Sequence, residues 1–383
     1  MPEPSTDALA AAVQAALATV DDPEIHRPIT ELGMVEAVDI DEAGGVAVTV
    51  LLTVSGCPMR EAITSRVTEA VSAVVGVTGV EVRLGVMDDD QRKALRESLR
   101  GPENDIVFNR PGSLTRVYAI TSGKGGVGKS SLTVNLAVAM ARRGLAVGVV
   151  DADIYGHSVP RMLGVTAPPT MVEGMIMPPV SHGVRVISML PFKPGGVSQP
   201  VAFRGPMLHR ALQQFLADVW WGDLDVLLLD LPPGTGDVAI STAQLLPQAK
   251  AVVVTTPQPA AAEVAVRAGM LSQQTHTAVA GVIENMSGVP CPHCGEPMDL
   301  FGVGGGRTVS ETLSAELGTD VPLLGQVPFD VRLREGGDRG EPLVVSASDS
   351  PAAQVISALA ERLGAAPRGL AGVSLGLTPA SRA

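Results

Sequence analysis

The stretch that decides the fold runs Val117-Tyr118-Ala119-Ile120-Thr121-Ser122-Gly123-Lys124-Gly125-Gly126-Val127-Gly128-Lys129-Ser130-Ser131-Leu132. Its first five residues form an apolar, β-rich run, its middle is a glycine-rich loop, and a helical run follows from Ser131 to Arg142. A strand, a loop of the form G-x-x-x-x-G-K-S and a helix in that order make a P-loop. The glycines let successive backbone N–H groups turn toward a phosphate at a helix N-terminus, where the helix dipole favours negative charge. Lys129 is expected at the β- and γ-phosphates and the Ser130 hydroxyl at a Mg²⁺ ion, with Ser131 completing the loop. The plain alternative is a glycine-rich turn with two solvated lysines. The flanking strand and helix argue against it.

Two acidic segments supply what a phosphate site needs next. Val226-Leu227-Leu228-Leu229-Asp230 is a buried-type strand ending in a carboxylate, the place of a Walker B residue. The following Leu231-Pro232-Pro233-Gly234-Thr235-Gly236-Asp237 is too rich in Pro and Gly to continue a strand and is expected as a loop near the γ-phosphate. Asp151-Ala152-Asp153 follows the strand-like Val147 to Val150. An open parallel sheet binds ligands at the carboxyl ends of its strands, so these acids should share an edge with the P-loop. Asp151 is assigned to a metal-held water and Asp153 to the attacking water. The competing assignments are a helix cap for Asp230 and a surface turn for the pair.

Working outward, apolar runs at Ala146–Val150, Val184–Ser188, Ala251–Thr255, Val279–Ile283 and Leu323–Val327 alternate with helical stretches. Such runs read as parallel strands buried on both faces. The fold class expected is α/β: a helix-flanked, mostly parallel sheet forming a P-loop domain, preceded by a small α/β domain. At 383 residues the chain exceeds what one core organises. The small domain is placed at 1–87, a linker at 88–112, the P-loop domain at 113–363 and a frayed tail at 364–383. Pro191 to Pro200 reads as a mobile loop.

Composition excludes several classes. The chain carries 28 Lys+Arg against 40 Asp+Glu, and the resulting charge of −12 repels nucleic acid and anionic lipid alike. Aromatics at 3% leave few platforms for stacking bases. The amino terminus lacks a basic leader, and the long apolar run from Leu132 is broken at Arg142-Arg143-Gly144. A soluble, cytoplasmic protein acting on neither nucleic acid nor membrane is expected. Three cysteines are too few for a disulfide framework.

Lys124, at the second position of the loop, is not required by the generic pattern. It resembles the deviant Walker A signature of the ParA/MinD class, in which this lysine reaches a partner subunit's phosphates. Asp230 to Asp237, Glu284-Asn285-Met286-Ser287, Cys291-Pro292-His293-Cys294-Gly295, and Phe301-Gly302 with Gly304-Gly305-Gly306 together resemble the Mrp/ApbC family of iron–sulfur cluster carriers. Arg204-Gly205-Pro206-Met207 is similar to the same family. The amino-terminal Asp22-Pro23-Glu24-Ile25, Leu32-Gly33 and Ser55-Gly56-Cys57-Pro58 resemble the small SufT/PaaD-type domain. The resemblance implies slow, switch-like ATP hydrolysis and a homodimer. Its cofactors are ATP, Mg²⁺ and an iron–sulfur cluster, with scaffold and recipient apoproteins as partners. It also implies adenine recognition by Asn285 and a loop from Pro328 to Asp330 beside the base.

Cys291 and Cys294 are spaced so that both sulfurs can face one metal centre. A four-iron cluster wants four ligands, and Cys57 lies far up the chain in the other predicted domain. Two copies of the pair across the twofold axis of the implied dimer would supply four thiolates. A zinc knuckle using His293 or another histidine, a redox disulfide and an inert turn remain alternatives. Cys57, near a predicted helix start, is a weaker candidate that is equally readable as a buried thiol. Two other functions stay open: a ParA/MinD-like spatial organiser, which leaves the cysteine pair idle, and a metallochaperone for another metal.

Overall fold

The protein is described by a computed structural model covering residues 6–23, 25, 27–41, 43–53, 59–100, 105–153, 156, 158–172, 174–188, 205–291 and 293–365. Cys57, Arg204, the expected loop at 191–200 and the tail beyond 365 lie outside these residues. The chain divides into two compact units, residues 1–105 with 170–177, and residues 106–169 with 178–383. The break between 105 and 106 falls inside the segment read as a linker. The charged part of that segment is the helix Asp89–Arg100, which counts with the first unit.

In the first unit, β1 (Val35–Ile40) pairs antiparallel with β2 (Gly45–Leu52), which pairs parallel with β3 (Gly79–Val86). A parallel neighbour needs a crossover, and the helix Arg60–Ser72 provides it, burying Ile63, Val67 and Val71 at successive four-residue steps. Alternate residues of β2, Val46, Val48 and Val50, are buried, as a strand with one face on a core requires.

The second unit is built on eight strands: β4 (Arg116–Ser122), β5 (Val147–Asp151), β8 (Val180–Ser181), β9 (Val184–Ser188), β10 (Val226–Asp230), β11 (Lys250–Thr255), β12 (Ala278–Asn285) and β15 (Leu323–Val327). Strands β13 (Val289–Pro290) and β14 (Pro297–Met298) form a separate hairpin, and β6 (Thr170–Val172) and β7 (Met175–Met177) pair as another that counts with the first unit. The sheet order is β15-β12-β11-β4-β10-β5-β9-β8, parallel throughout except for β8 at the edge, which pairs antiparallel with β9. The apolar runs read as strands match β4, β5, β9 to β12 and β15 within a residue or two. The short edge strand and both hairpins were not anticipated, because two- and three-residue strands carry no periodicity.

Helices cover both faces. Lys129–Ala141 is buried nearly all round, with Leu132, Val134, Leu136, Val138 and Met140 inside, because it lies between the sheet and the helix Pro351–Gly364. The helices Pro259–Thr275 and Gly305–Leu317 cover the opposite face, where Val253, Val282, Val309 and Leu313 form a second core. The chain passes from β4 out to β5 and β9, then returns to insert β10 between β4 and β5. Sheets of this kind place ligands where the strand order reverses, and here that is the edge bearing the P-loop. Among the described residues no helix is long and apolar enough to cross a membrane.

Candidate functional site

The P-loop leaves β4 at Ser122 and enters its helix at Lys129. Gly126 and Gly128 hold left-handed backbone, with φ of 81° and 82°. At Gly128 a side chain is excluded twice over, since a Cβ there would also lie 2.2 Å from Asn285 Nδ2. Register alone brings the acids to this loop: Asp230 pairs with Ile120 of β4 on one side and with Asp151 of β5 on the other.

Three donors converge on the Asp230 carboxylate, which is fully buried. Lys129 Nζ donates to Oδ1 at 2.8 Å, Thr133 Oγ1 donates to Oδ1 at 2.9 Å, and Ser130 Oγ donates to Oδ2 at 2.5 Å. The Lys129–Asp230 pair is buried at both ends, with 6% and 0% of the side chains exposed. An ion pair so deep is expensive to desolvate, so its presence argues for use rather than for stability alone.

Asp151 completes the acid pair. One of its oxygens, Oδ2, accepts the Val159 N–H at 3.3 Å, while Oδ1 is buried without a hydrogen-bond partner. Burial pushes its carboxyl well above the usual range, and the neighbouring negative charge of Asp230 adds to the effect, with a smaller contribution from Asp153. An orphaned buried carboxylate oxygen beside Asp230 and the Ser130 hydroxyl makes an all-oxygen donor set. That set suits a hard divalent cation such as Mg²⁺, which keeps several waters and takes few protein ligands. Asp153 is half-buried, and its Oδ1 accepts the Gly156 N–H at 2.9 Å, closing a turn at the sheet edge.

Lys124 is tied within its own chain, its Nζ donating to Gln258 Oε1 at 3.0 Å. Gln258 caps the helix Pro259–Thr275 by position, although its side chain makes no capping bond. Asn285, at the end of β12, is buried and donates from Nδ2 to the Val127 carbonyl at 2.9 Å, so it braces the P-loop backbone. Pro328 follows β15 directly. Its loop lies beside the turn after Asn285, joined by Ser287 N–H to Val327 O at 2.9 Å and Phe329 N–H to Gly288 O at 3.0 Å.

That turn opens the cysteine segment. The β13–β14 hairpin carries Cys291 and Cys294 at its tip, both as free thiols, Cys291 half-buried and Cys294 exposed. The tip is closed by Cys291 N–H to Glu296 O at 2.8 Å and Gly295 N–H to Cys291 O at 2.9 Å. The backbone N–H groups of Cys294 and His293 and the Cys294 side chain all hydrogen-bond to the Cys291 sulfur, and together they hold its thiol below the usual range. N–H groups aimed at sulfur also stabilise thiolate ligands of iron clusters. Among the described residues no three His, Cys, Asp or Glu side chains are grouped to hold a metal ion.

Sequence reasoning gave no role to three residues. Thr133 carries a detectable signal, since it stands one helical turn beyond Lys129 and so on the same face. Glu284 interrupts an apolar strand, is fully buried, and accepts from Gly306 N–H at 2.6 Å and from Gln326 Nε2 at 2.7 Å. Gln258 has no local signal.

Comparison with known proteins gives the family. Residues 113–364 match the family model described as NUBPL iron-transfer P-loop NTPase. Residues 10–82 match that of an iron-sulfur cluster assembly protein. The iron-sulfur cluster carrier protein of Mycobacterium tuberculosis is 59% identical over 376 residues, covering 98% of each chain. Its counterpart in Synechocystis is 42% identical over 360 residues, covering 92% of this chain and 96% of that one. Among solved structures, a nucleotide-binding protein of Archaeoglobus fulgidus in complex with ADP aligns at a TM-score of 0.50. It shares 33% identity and covers 62% of this chain and 91% of its own.

Proposed function

The chain belongs to the iron-transfer P-loop NTPase family that includes the iron–sulfur cluster carrier proteins, and from that premise we propose how its own residues do the work. It is an ATP-hydrolysing carrier whose cargo is an iron–sulfur cluster, held by Cys291 and Cys294 and passed to recipient apoproteins. Each chain brings two thiolates, so the cluster is held between two copies of the hairpin in a homodimer. Met298 of the cysteine hairpin, exposed by 42%, gives that contact an apolar edge. Free thiols of this kind suit a reducing cytoplasm.

ATP takes its place on the N–H groups of Gly123 to Ser131, with Lys129 leaving Asp230 for the β- and γ-phosphates. Ser130, Asp230 and, through water, Asp151 would hold Mg²⁺, which neutralises phosphate charge when bound. Asp153 orients the attacking water, and Lys124 leaves Gln258 to reach the partner's phosphates. Asn285 and the Pro328 loop border the base. Cys57 is retained as a candidate relay between the two domains.

The single observation that carries this reading is continuity: Asn285, bonded to the P-loop, is followed within six residues by the first cysteine of the β13–β14 hairpin tip, whose sulfur faces the Cys294 and His293 N–H groups. A purely spatial-organising ATPase leaves that hairpin without a task. Anaerobic reconstitution with iron and sulfide, followed by iron determination and native mass measurement, tests it. One cluster per dimer is expected, lost when Cys291 and Cys294 are both replaced by Ala while ATP binding persists. A cluster on a strict monomer, or stoichiometric iron on the double variant, would overturn the proposal.

A further inference from the structure

We infer that Glu284 is a positioning residue that makes nucleotide affinity and cluster occupancy depend on each other; the inference rests on the carrier reading above. Successive residues of a strand point to opposite faces. At the end of β12 the alternation is visible in the packing, with Val282 in the core under helices Pro259–Thr275 and Gly305–Leu317 and Ile283 in the core around Lys129–Ala141. Glu284 and Asn285 continue it. Asn285 grips the P-loop through the Val127 carbonyl, and Glu284 grips the opposite layer through Gly306 N–H.

These two grips sit at the two roots of one excursion. Residues 286–304 leave the sheet at Asn285, carry Cys291 and Cys294, and return into the helix Gly305–Leu317. That helix begins after Gly304, which has no side chain to cap it, so the buried carboxylate of Glu284 does so from the neighbouring strand. The other oxygen of Glu284 is fixed by Gln326 of β15. The return root has little freedom to move elsewhere, because a Cβ on Gly305 would lie 2.4 Å from the Thr256 carbonyl oxygen. Two residues on, Gln258 holds Lys124. A shift of the P-loop therefore reaches the outgoing root through Asn285 and the returning root through Glu284, and the hairpin moves as one body. By linkage, a cluster that fixes the hairpin must alter nucleotide affinity by the factor by which nucleotide alters cluster affinity.

Glu284→Met keeps the length but offers an oxygen neither to Gly306 N–H nor to Gln326 Nε2, so both grips are lost. Gln326→Met removes the second grip while leaving the carboxylate in place. Full-length protein would be titrated with a non-hydrolysable ATP analogue and Mg²⁺, as apoprotein and as cluster-loaded protein. The wild type should show at least about a fivefold difference in Kd between the two forms. In Glu284→Met the ratio should fall to about one, with cluster content and apoprotein Kd within roughly threefold of wild type, and Gln326→Met, which loses one grip, should fall between. An unchanged ratio in folded Glu284→Met overturns the inference, as does a wild-type ratio in Gln326→Met should the first variant fail to fold. Wild type that binds both ligands independently also overturns it and leaves the carrier reading intact, whereas a chain that binds no cluster overturns both.

Discussion

Replacing Asp230 with Asn removes one charge from the centre of the nucleotide site while keeping its shape. The carboxylate accepts from Lys129, Thr133 and Ser130 at 2.8, 2.9 and 2.5 Å and is wholly buried. An Asn oxygen can keep Lys129 and Thr133, and the Ser130 hydroxyl can rotate to accept from the new NH₂ group, so hydrogen-bond losses are small. What remains is a buried ammonium stripped of its hydrogen-bonded counter-charge, with Asp151 the acid left near it. Breaking a buried pair by removing one partner costs about 3–5 kcal/mol, and the retained hydrogen bonds place this case near the lower end, about 3 kcal/mol. For a unit of this size that lowers Tm by roughly 6–12 °C. Both tryptophans, Trp220 and Trp221, lie in the P-loop unit, so their fluorescence follows its unfolding in urea or heat without interference from the small unit. Lys129→Met in the same background removes the orphaned charge, and the double variant should be more stable than the sum of the single losses by about 1.5 kcal/mol or more. Loss of less than about 1 kcal/mol in Asp230→Asn, with additive behaviour in the double variant, would refute the claim that this pair is the electrostatic core of the site.

The remaining expectations concern other contacts of the same unit. Because the folded state raises the Asp151 carboxyl, it keeps its proton over a range in which the unfolded chain has lost it. The stability this group contributes is complete below the unfolded value of about 3.9 and is lost as pH rises through the folded value. Nucleotide-free wild type should therefore lose stability relative to Asp151→Asn as pH climbs from acid to neutral, and a pH-independent difference in urea midpoints would contradict this. Lys124→Ala should slow ATP hydrolysis on the order of 100-fold while leaving nucleotide Kd within about threefold, since its proposed target lies in the partner; normal turnover in a phosphate-release assay would remove the case for a shared site. Gly305→Ala forces a Cβ to within 2.4 Å of the Thr256 carbonyl oxygen, which is backbone and cannot swing aside. Overpacking of that kind should cost about 1–3 kcal/mol, and an unchanged melting curve would show that the Gly305 root can shift.

The parts of this molecule that were legible in sequence are those set by short-range rules. Val226 to Leu229 and Val117 to Thr121 are continuous apolar runs, so their assignment as buried parallel strands needed no partner. Once they pair, register alone delivers Asp230 to Ile120 and Asp151. The cysteine spacing likewise announced a thiolate pair, and the hairpin supplied the N–H donors that spacing cannot show. Illegible were contacts fixed by which strands become neighbours. Lys124 was expected to reach outward, yet within the chain it meets Gln258, some 130 residues on, because β11 lies beside β4. Glu284 and Asn285 looked like one polar motif, but a strand sends them to opposite faces, and only the sheet order reveals that one face holds the phosphate loop and the other the helix closing the cysteine excursion. Two neighbouring residues thus belong to different layers while sharing one backbone. Under the proposed coupling, a hairpin movement carried to its two roots would reach the P-loop through Asn285 and the helix after Gly304 through Glu284.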